Sequence, residues 1–300
     1  MPEKTIRQYP YFLFTRTPLH VGAGQSVGYV DLPIQREAHT RIPIVPGTSL
    51  KGVLRDHPDL RADADYLFGK GAGEDETGGH AGALLVGEAR VLAFPVRSAK
   101  GCFAWITCPL MLARYCRDTG QEDLTLSFDK VTEDANGDVT ILAGGKITEE
   151  CKAVLEEYTF GVASPTADSR SEWEGALKAL LPDEPVWKLL EGRLAIVPDG
   201  IFSFFVQSAC EVAQHVSIND ETGTARAGAL FNQENCPPET LFYGMIAAQR
   251  INGRDPKEAF DTLGLLNGKA LQIGAGETTG LGWFTFACSF TKADADTEVK

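Results

Sequence analysis

Short apolar runs alternate with polar, glycine-rich stretches along the whole chain. Tyr11-Phe12-Leu13-Phe14-Thr15 is apolar and aromatic up to its last position, the pattern of a buried strand. Ala83–Val96 and Cys102–Thr107 read as further strands, the first with charged positions that mark one solvated face. Ile201–Gln207, Leu241–Ala248 and Trp283–Phe290 read as strands too. Helix signals fall between them. Pro46-Gly47-Thr48-Ser49 opens a helix to about Asp56, with Thr48 or Ser49 as its cap and Pro58 as its stop. Pro109 starts a second helix to about Arg117, closed by Gly120, and Pro256–Leu266 predicts a third. Residues 119–185 are polar and mixed, and read as an insertion with helices near 147–158 and 171–181. Ala213–Ile218 and Thr224–Leu230 flank the turn cluster Asn219-Asp220-Glu221-Thr222-Gly223, which predicts a long β-hairpin. Strands interleaved with helices and hairpins predict an α+β fold, a ferredoxin-like sheet with insertions.

Two glycine-rich loops punctuate this pattern, Gly22-x-Gly24-x-x-x-Gly28 and Gly274-Ala275-Gly276-Glu277-Thr278-Thr279-Gly280-Leu281-Gly282. Neither is a dinucleotide fingerprint or a P-loop. Each is a tight turn by its pattern, and the pair at opposite ends of the chain suits backbone contact with a polyphosphate. Lys51 and Arg55 share one face of the first predicted helix near its start, where they oppose the helix dipole, so that face is either solvated or turned to an anion. Asp31 stands alone after the first loop. Spacing leaves open whether it caps its own turn or works on a ligand. His20 ends the first strand region as a structural histidine or a general base. Glu234 and Glu239 flank Pro237-Pro238 and read as surface residues.

With 300 residues, 43% of them hydrophobic, the chain can bury a sizeable core. It holds no apolar run of membrane-spanning length and no apolar leader, which points to a cytoplasmic protein without membrane contact. The seven cysteines form no CxxC pair, so neither a zinc ribbon nor a disulfide framework is indicated. A net charge of −13 counts against a general nucleic-acid binder. Much of the acid lies in peripheral segments: Glu74–Glu76, residues 122–138, and Asp294, Asp296 and Glu298. The segment 36–55 is locally basic, with Arg36, His39, Arg41, Lys51 and Arg55.

The run His20–Glu37, with Val30-Asp31-Leu32-Pro33-Ile34-Gln35-Arg36-Glu37 as its most specific part, continues into Pro46-Gly47-Thr48-Ser49-Leu50-Lys51-Gly52. Together they resemble the RAMP superfamily, and within it the backbone subunits of type III-B (Cmr) CRISPR effector complexes. Pro95–Ser98, Cys102–Leu110, Gly228–Phe231, Pro237–Tyr243 and Gly274–Trp283 extend the resemblance over nearly the whole chain, the segment 119–185 least. It implies one RAMP domain over residues 1–300, an RRM-like palm with insertions at 60–82, 119–185 and 213–231, the last a β-hairpin thumb. It implies stacking of copies into a helical filament on a guide (CRISPR) RNA, beside other Cmr subunits. The thumb would splay a nucleotide from the guide–target duplex at a regular period.

On this reading the chain is a metal-dependent endoribonuclease, leaving a 2′,3′-cyclic phosphate and a 5′-hydroxyl. Asp31 would be the catalytic group and the ligand of a loosely held Mg or Mn ion, with His20, Glu234 and Glu239 as further catalytic candidates. RNA contacts would fall to Gly22, Gly24, Gly274, Gly276, Thr278 and Thr279 of the loops, and to Arg36, Arg41, Ser49, Lys51 and Arg55. Asn232-Gln233-Glu234-Asn235 departs from the family where an acidic or aromatic residue is common. The rival readings are a backbone subunit that binds guide RNA without cutting, and a stand-alone metal-independent guide-processing RNase with His20 as base.

Overall fold

The computed structural model describes residues 6–25, 28–70, 79–163, 169–226, 229–288 and 290. Glu74–Glu76, Gly228, Asp294, Asp296, Glu298 and the middle of the 60–82 insertion lie outside these residues. Thirteen strands join one mixed sheet. Its central order is Cys102–Thr107, Ala89–Ser98, Leu241–Gln249, Ile6–Thr15, Trp283–Cys288, Ala270–Gln272. All of these neighbours are antiparallel. Beyond Cys102–Thr107 the sheet continues through Leu194–Ile196, which is parallel to it, and then Val139–Ala143.

The alternation of Tyr11, Phe12, Leu13 and Phe14 divides the core in two. Tyr11 and Leu13 face one cluster, with Val91, Phe242, Ile246, Phe284 and Phe286. The helices Gly47–Asp56 and Pro256–Leu263 close it with Leu50 and Leu54, and with Ala259, Phe260 and Leu263. Phe12 and Phe14 face the other cluster, with Leu92, Trp105, Leu241 and Tyr243. The helices Pro109–Thr119 and Ser169–Lys178 and the segment around Trp187 cover that face with Tyr115, Trp173, Trp187 and Leu190. Both faces are therefore filled, which leaves the edges and loops for binding. In the first strand Tyr11 lies across Gly244, where any side chain would collide with its ring, and its hydroxyl donates to the Gly87 carbonyl at 2.8 Å.

Several local expectations change in three dimensions. Ile201–Gln207 is a helix, Asp199–Ser208, not a strand. Its aromatic run suggested β-structure, but Phe202, Phe205 and Val206 are buried at helical spacing while Phe204 and Gln207 face out. The expected helix 147–158 is instead the strand Lys152–Leu155 paired with Tyr158–Val162. Glu150, Cys151 and Glu156 all take positive φ, which no helix tolerates, and Arg97 ties down the Glu156 carboxylate through its backbone N–H at 2.8 Å. The helix starting at Gly47 is capped by neither Thr48 nor Ser49. Pro46 stands at its N-cap and its carbonyl takes the first N–H groups. The long strand Ala83–Val96 is broken at Gly87 into Leu84–Val86 and Ala89–Ser98. The hairpin turn 219–223 forms as expected, with the Asn219 side chain accepting from the N–H groups of Glu221 and Thr222. Its paired stem, however, is Glu211–His215 with Phe231–Asn235, and among the described residues the arms nearer the turn form one bridge, Ile218 with Ala225. No helix among the described residues is long and apolar enough to cross a membrane.

Trp105 is fully buried in the second cluster, stacks edge-on against Trp187 at 5.2 Å, and donates its indole N–H to the Glu239 carbonyl at 2.7 Å. Trp105→Ala is expected to lower stability by about 3–5 kcal/mol, read as a fall in the urea midpoint. A change within about 0.5 kcal/mol, the range of surface substitutions, would mean that this face does not unfold with the rest.

Candidate functional site

Asp31 lies on an arm that folds back on itself and is then strapped to the hairpin. Ala23 N–H donates to the Pro33 carbonyl and Gln35 N–H to that of Val21, each at 2.8 Å, so residues 21–23 and 33–35 run side by side as a narrow double strand. Its exposed end carries Tyr29, entirely in solvent. The returning limb runs parallel to the second hairpin strand. Leu32 N–H donates to Asn232 and Glu234 N–H to Leu32, each at 3.0 Å. The Asp31 carboxylate is exposed, and Oδ2 accepts the Asn232 backbone N–H at 2.8 Å. It therefore does not cap its own turn. Its partner is a residue 201 positions away.

Glu234 is not a surface acid. It is buried, and its carboxylate accepts the Arg36 guanidinium at 2.6 Å and the Ile34 N–H at 3.1 Å. Arg36 is equally committed: it also donates to the carbonyls of Arg41 at 2.7 Å and Val206 at 3.0 Å, and to Cys210 Sγ at 3.4 Å. Burial alone would weaken the guanidinium's hold on its proton. The neighbouring Cys210 and Glu234 outweigh that and push its pKa up. Arg36, with its side chain about 5% exposed, is thus a strut of the loop, not a free cation for phosphate. His20 is buried as well, its Nδ1 2.6 Å from the Glu234 carbonyl. The hairpin strand holds the arm from both ends, because Leu19 and Cys236 exchange two backbone hydrogen bonds of 2.8 Å just before it.

The second glycine loop docks on the same point. Ala275 N–H donates to the His20 carbonyl and Gly282 N–H to that of Pro18, each at 2.9 Å. Gly274 has φ +85° and sits where a side chain would strike the His20 carbonyl, so glycine is required there. Gly22, Gly24, Thr278 and Thr279 are exposed, and Gly276 partly so. The structure thus brings together His20, Asp31, Glu234 and both glycine loops.

It does not bring Lys51, Arg55, Ser49 or Glu239 to that point. Lys51 and Arg55 line a separate groove of about 420 Å³ with Lys70 and His80, and no residue of either glycine loop belongs to it. Arg55 is held by Asp65 at 2.8 Å and by the Gly69 carbonyl. Lys51 makes no ion pair among the described residues. Ser49 lies in the same first turn. Arg41 is exposed with φ 61°, and its carbonyl serves Arg36. Glu239 lies on the turn before Leu241, where burial first and then Glu184 raise its carboxyl pKa.

Sequence reasoning missed Cys210, the Val206 carbonyl and the Asn232 N–H as parts of the arm's support. It also missed the stack of His215 on Phe231, 5.0 Å apart across the hairpin stem. Their signal is cross-strand register, visible only once the hairpin is paired. No group of three or more potential metal-ligating side chains exists among the described residues.

A model of the RAMP superfamily matches residues 13–285. The CRISPR system Cmr endoribonuclease Cmr4 of Pyrococcus furiosus is 37% identical over 290 residues, 93% of this chain and 94% of that one. A Csm3 endoribonuclease of a Cms CRISPR system, from Enterococcus italicus, matches over 42 residues at 43% identity, 13% of this chain and 20% of its own. Among solved structures, oligomeric Cmr4 from Pyrococcus furiosus superposes with a TM-score of 0.71 at 30% identity, over 95% of this chain and 98% of that one. A chain of a type III-B Cmr-beta complex bound to cognate target RNA shares the fold, with a TM-score of 0.68 at 19% identity over 94% and 97%.

Removing one member of a buried ion pair strands the other charge. Arg36→Ala and Glu234→Ala are each expected to destabilise the chain by about 3–5 kcal/mol, and the double variant by clearly less than their sum. Urea denaturation of all four proteins measures this. Strict additivity would show that the pair is not coupled.

Proposed function

The chain belongs to the RAMP superfamily, and from that premise we propose that it is the guide-RNA-binding backbone subunit of a type III-B CRISPR effector complex, an endoribonuclease that cuts target RNA. The observation that carries this reading is the 37% identity to the Cmr4 endoribonuclease, which spans nearly all of both chains. The chain assembles with copies of itself and with other Cmr subunits, a reading supported by the oligomeric Cmr4 it resembles. Such a subunit works in the cytoplasm.

The palm is the order Ala89–Ser98, Leu241–Gln249, Ile6–Thr15, Trp283–Cys288 with the helices Gly47–Asp56 and Pro256–Leu263 on one face. Read in chain order this is βαββαβ, the ferredoxin-like pattern. The chain between its second and third strands, residues 99–240, is then one large insertion that covers the opposite face. RNA is left to the loops, and the hairpin 211–235 is the thumb. Half-exposed Val212, Val216 and Ile218, and more exposed Leu230, give it an apolar surface that nothing among the described residues covers. That suits a wedge against base pairs. Backbone contacts from the glycine loops and charge from Lys51 bind any guide, and base pairing chooses the target.

Asp31 is the cutting group. Its Oδ2 is engaged by Asn232, which aims the exposed carboxylate outward from the hairpin root. There it accepts a hydrogen bond from the 2′-hydroxyl of the splayed nucleotide and orients it. The 2′-hydroxyl gives its proton to water, its oxygen bonds to the adjacent phosphorus, the P–O5′ bond breaks, and the departing 5′-oxygen takes a proton from water. A 2′,3′-cyclic phosphate and a 5′-hydroxyl result. One exposed carboxylate fits a divalent ion shared with the RNA phosphates and water, not one held by protein alone. When bound, such an ion neutralises the charge gathering on the phosphate. Glu234 and His20 serve by holding the arm: the Glu234 carboxylate is filled by Arg36 and Ile34, and His20 is buried against the Glu234 carbonyl. That argues against the guide-processing reading, which needs His20 free as a base.

Asp31→Asn should lower target cleavage in the reconstituted complex by roughly 10²–10⁴-fold. Guide and target affinity should stay within about twofold, because a carboxylate gives nothing to phosphate binding. Undiminished cutting would leave the non-cutting backbone reading in place.

Deleting residues 217–226 removes the hairpin's far end and keeps the stem Glu211–His215 with Phe231–Asn235. The chain should fold with its melting temperature nearly unchanged, while the regularly spaced cleavage products on a long target disappear. A splayed base costs a few kcal/mol of stacking, which the shortened hairpin cannot offset. An unchanged ladder would place the wedge elsewhere, in the segment 119–185.

A further inference from the structure

Two cysteines with no part in the proposed cutting chemistry face each other at the root of the hairpin. The stem pairs Glu211 with Asn235. One step further in the same antiparallel register Cys210 stands opposite Cys236. Cys236 spends its backbone N–H and C=O on Leu19, on the other side of its strand. Cys210 and Cys236 therefore meet at a position without backbone hydrogen bonds between them, the closer of the two kinds of cross-strand pair. Cα atoms lie about 4.5 Å apart at such positions, inside the roughly 4.4–6.8 Å span that a disulfide bridges. The Cys210 thiol donates to the Val206 carbonyl at 3.3 Å and the Cys236 thiol to Thr240 Oγ1 at 3.5 Å, and each sulfur is near enough to shift the other's titration.

Their surroundings differ in a way that assigns roles. Cys210 is partly exposed, and its sulfur receives the Arg36 guanidinium at 3.4 Å. The neighbouring Cys236 thiol lowers its pKa most, against burial, and Arg36 adds to the effect. Cys236 is fully buried, and burial first, then Cys210, pushes its thiol up. The partly exposed residue with the lowered thiol pKa is thus the nucleophile and the buried, raised one its neighbour, the arrangement of an attacking and a resolving cysteine.

We propose that Cys210 and Cys236 form a redox modification site, oxidised by hydroperoxides to a cross-strand disulfide at the hairpin root. The Cys210 thiolate attacks one peroxide oxygen. The O–O bond breaks, an S–O bond forms, and hydroxide leaves. Cys236 then attacks the sulfenic sulfur of Cys210. An S–S bond forms, the S–O bond breaks, and the Cys236 proton leaves with the hydroxide as water. The two sulfurs together lose two electrons and the peroxide gains them. The bond ties the start of the hairpin to the strand that carries Glu234 and takes the Cys210 thiolate away from Arg36. The inference goes beyond the nuclease reading and does not depend on it, since sulfur chemistry is read without RNA.

The test uses the full chain, both as it stands and with the exposed thiols removed by Cys102→Ser and Cys151→Ser. After limited hydrogen peroxide and alkylation, peptide mapping should find Cys210 and Cys236 unalkylated and joined in one linked peptide. The chain mass should be lower by two hydrogens, and dithiothreitol should restore both thiols. In Cys236→Ser the reaction should stop at a sulfenic acid on Cys210, trapped by dimedone. If both cysteines remain alkylatable, or if Cys210 passes to sulfinic acid while Cys236 stays a thiol in the unsubstituted chain, the proposal is overturned.

Discussion

Everything near Asp31 depends on one strand, Phe231–Cys236, being shared. On one side it completes the hairpin with Glu211–His215. On the other it receives the arm through Leu19, Leu32 and the Ile34 N–H. The buried Arg36–Glu234 pair fastens this arrangement, because Arg36 also reaches the Val206 carbonyl and Cys210 where the helix Asp199–Ser208 hands over to the hairpin. A buried ion pair is weak testimony for stability, since its desolvation cost rivals its attraction. Here it joins three separate stretches of chain at one place. A hydrophobic replacement could fill that space, but it could not fix the direction of the arm, which hydrogen bonds to defined atoms do.

The filled second face explains why the site consists of loops. An RNA-binding sheet of the ferredoxin type commonly leaves one face open for stacking bases. In this chain Phe12, Phe14 and Tyr243 of that face lie under Tyr115, Trp173 and Trp187. What remains uncovered is the glycine loops and the hairpin, which meet at His20. The acidic net charge of −13 fits the same geometry. Arg36 and Arg55 are neutralised by Glu234 and Asp65, and Arg90 and Arg114 converge on the buried Glu37. Arg36 and Arg55 of the basic segment therefore support the fold. On the proposed function, anion binding falls to backbone N–H groups and to exposed cations such as Lys51.

What the sequence made legible was whatever local chemistry decides. The helices at Gly47–Asp56 and Pro109–Thr119 and the turn at Asn219–Gly223 follow from proline, glycine and Asx signals within a few residues. The helix Asp199–Ser208 was not legible as such, because Ile-Phe-Ser-Phe-Phe-Val satisfies a strand pattern as well as a helical one. Packing of Phe202, Phe205 and Val206 decides between them. The site was legible as a motif but not as a mechanism of support. His20–Glu37 stood out by its resemblance, yet nothing within that run shows that Asp31 answers to Asn232 or Arg36 to Glu234, 201 and 198 positions away. Glu234 looked like a surface acid because a Pro-Pro turn follows it. Only the pairing of its strand with Leu32 turns it inward.

That long-range support has a mechanical consequence. The hairpin and the carboxylate are not two devices set side by side. Asn232 lies within the hairpin's second strand, and its N–H aims Asp31. Glu234, two residues on, accepts Ile34 N–H and Arg36 from the limb that follows Asp31. The carboxylate is therefore referenced to the hairpin's second strand as well as to the main sheet, which the arm meets where Ile44 N–H donates to the Gln35 carbonyl. For a subunit that cuts at a period set by its own repeat along a guide, this is the useful constraint. On the proposed function, the splayed nucleotide and the carboxylate that orients its 2′-hydroxyl would be positioned by the same strand. An error of 1 Å in such a site costs about a hundredfold in rate, and positioning both from one strand is a direct way to stay within it.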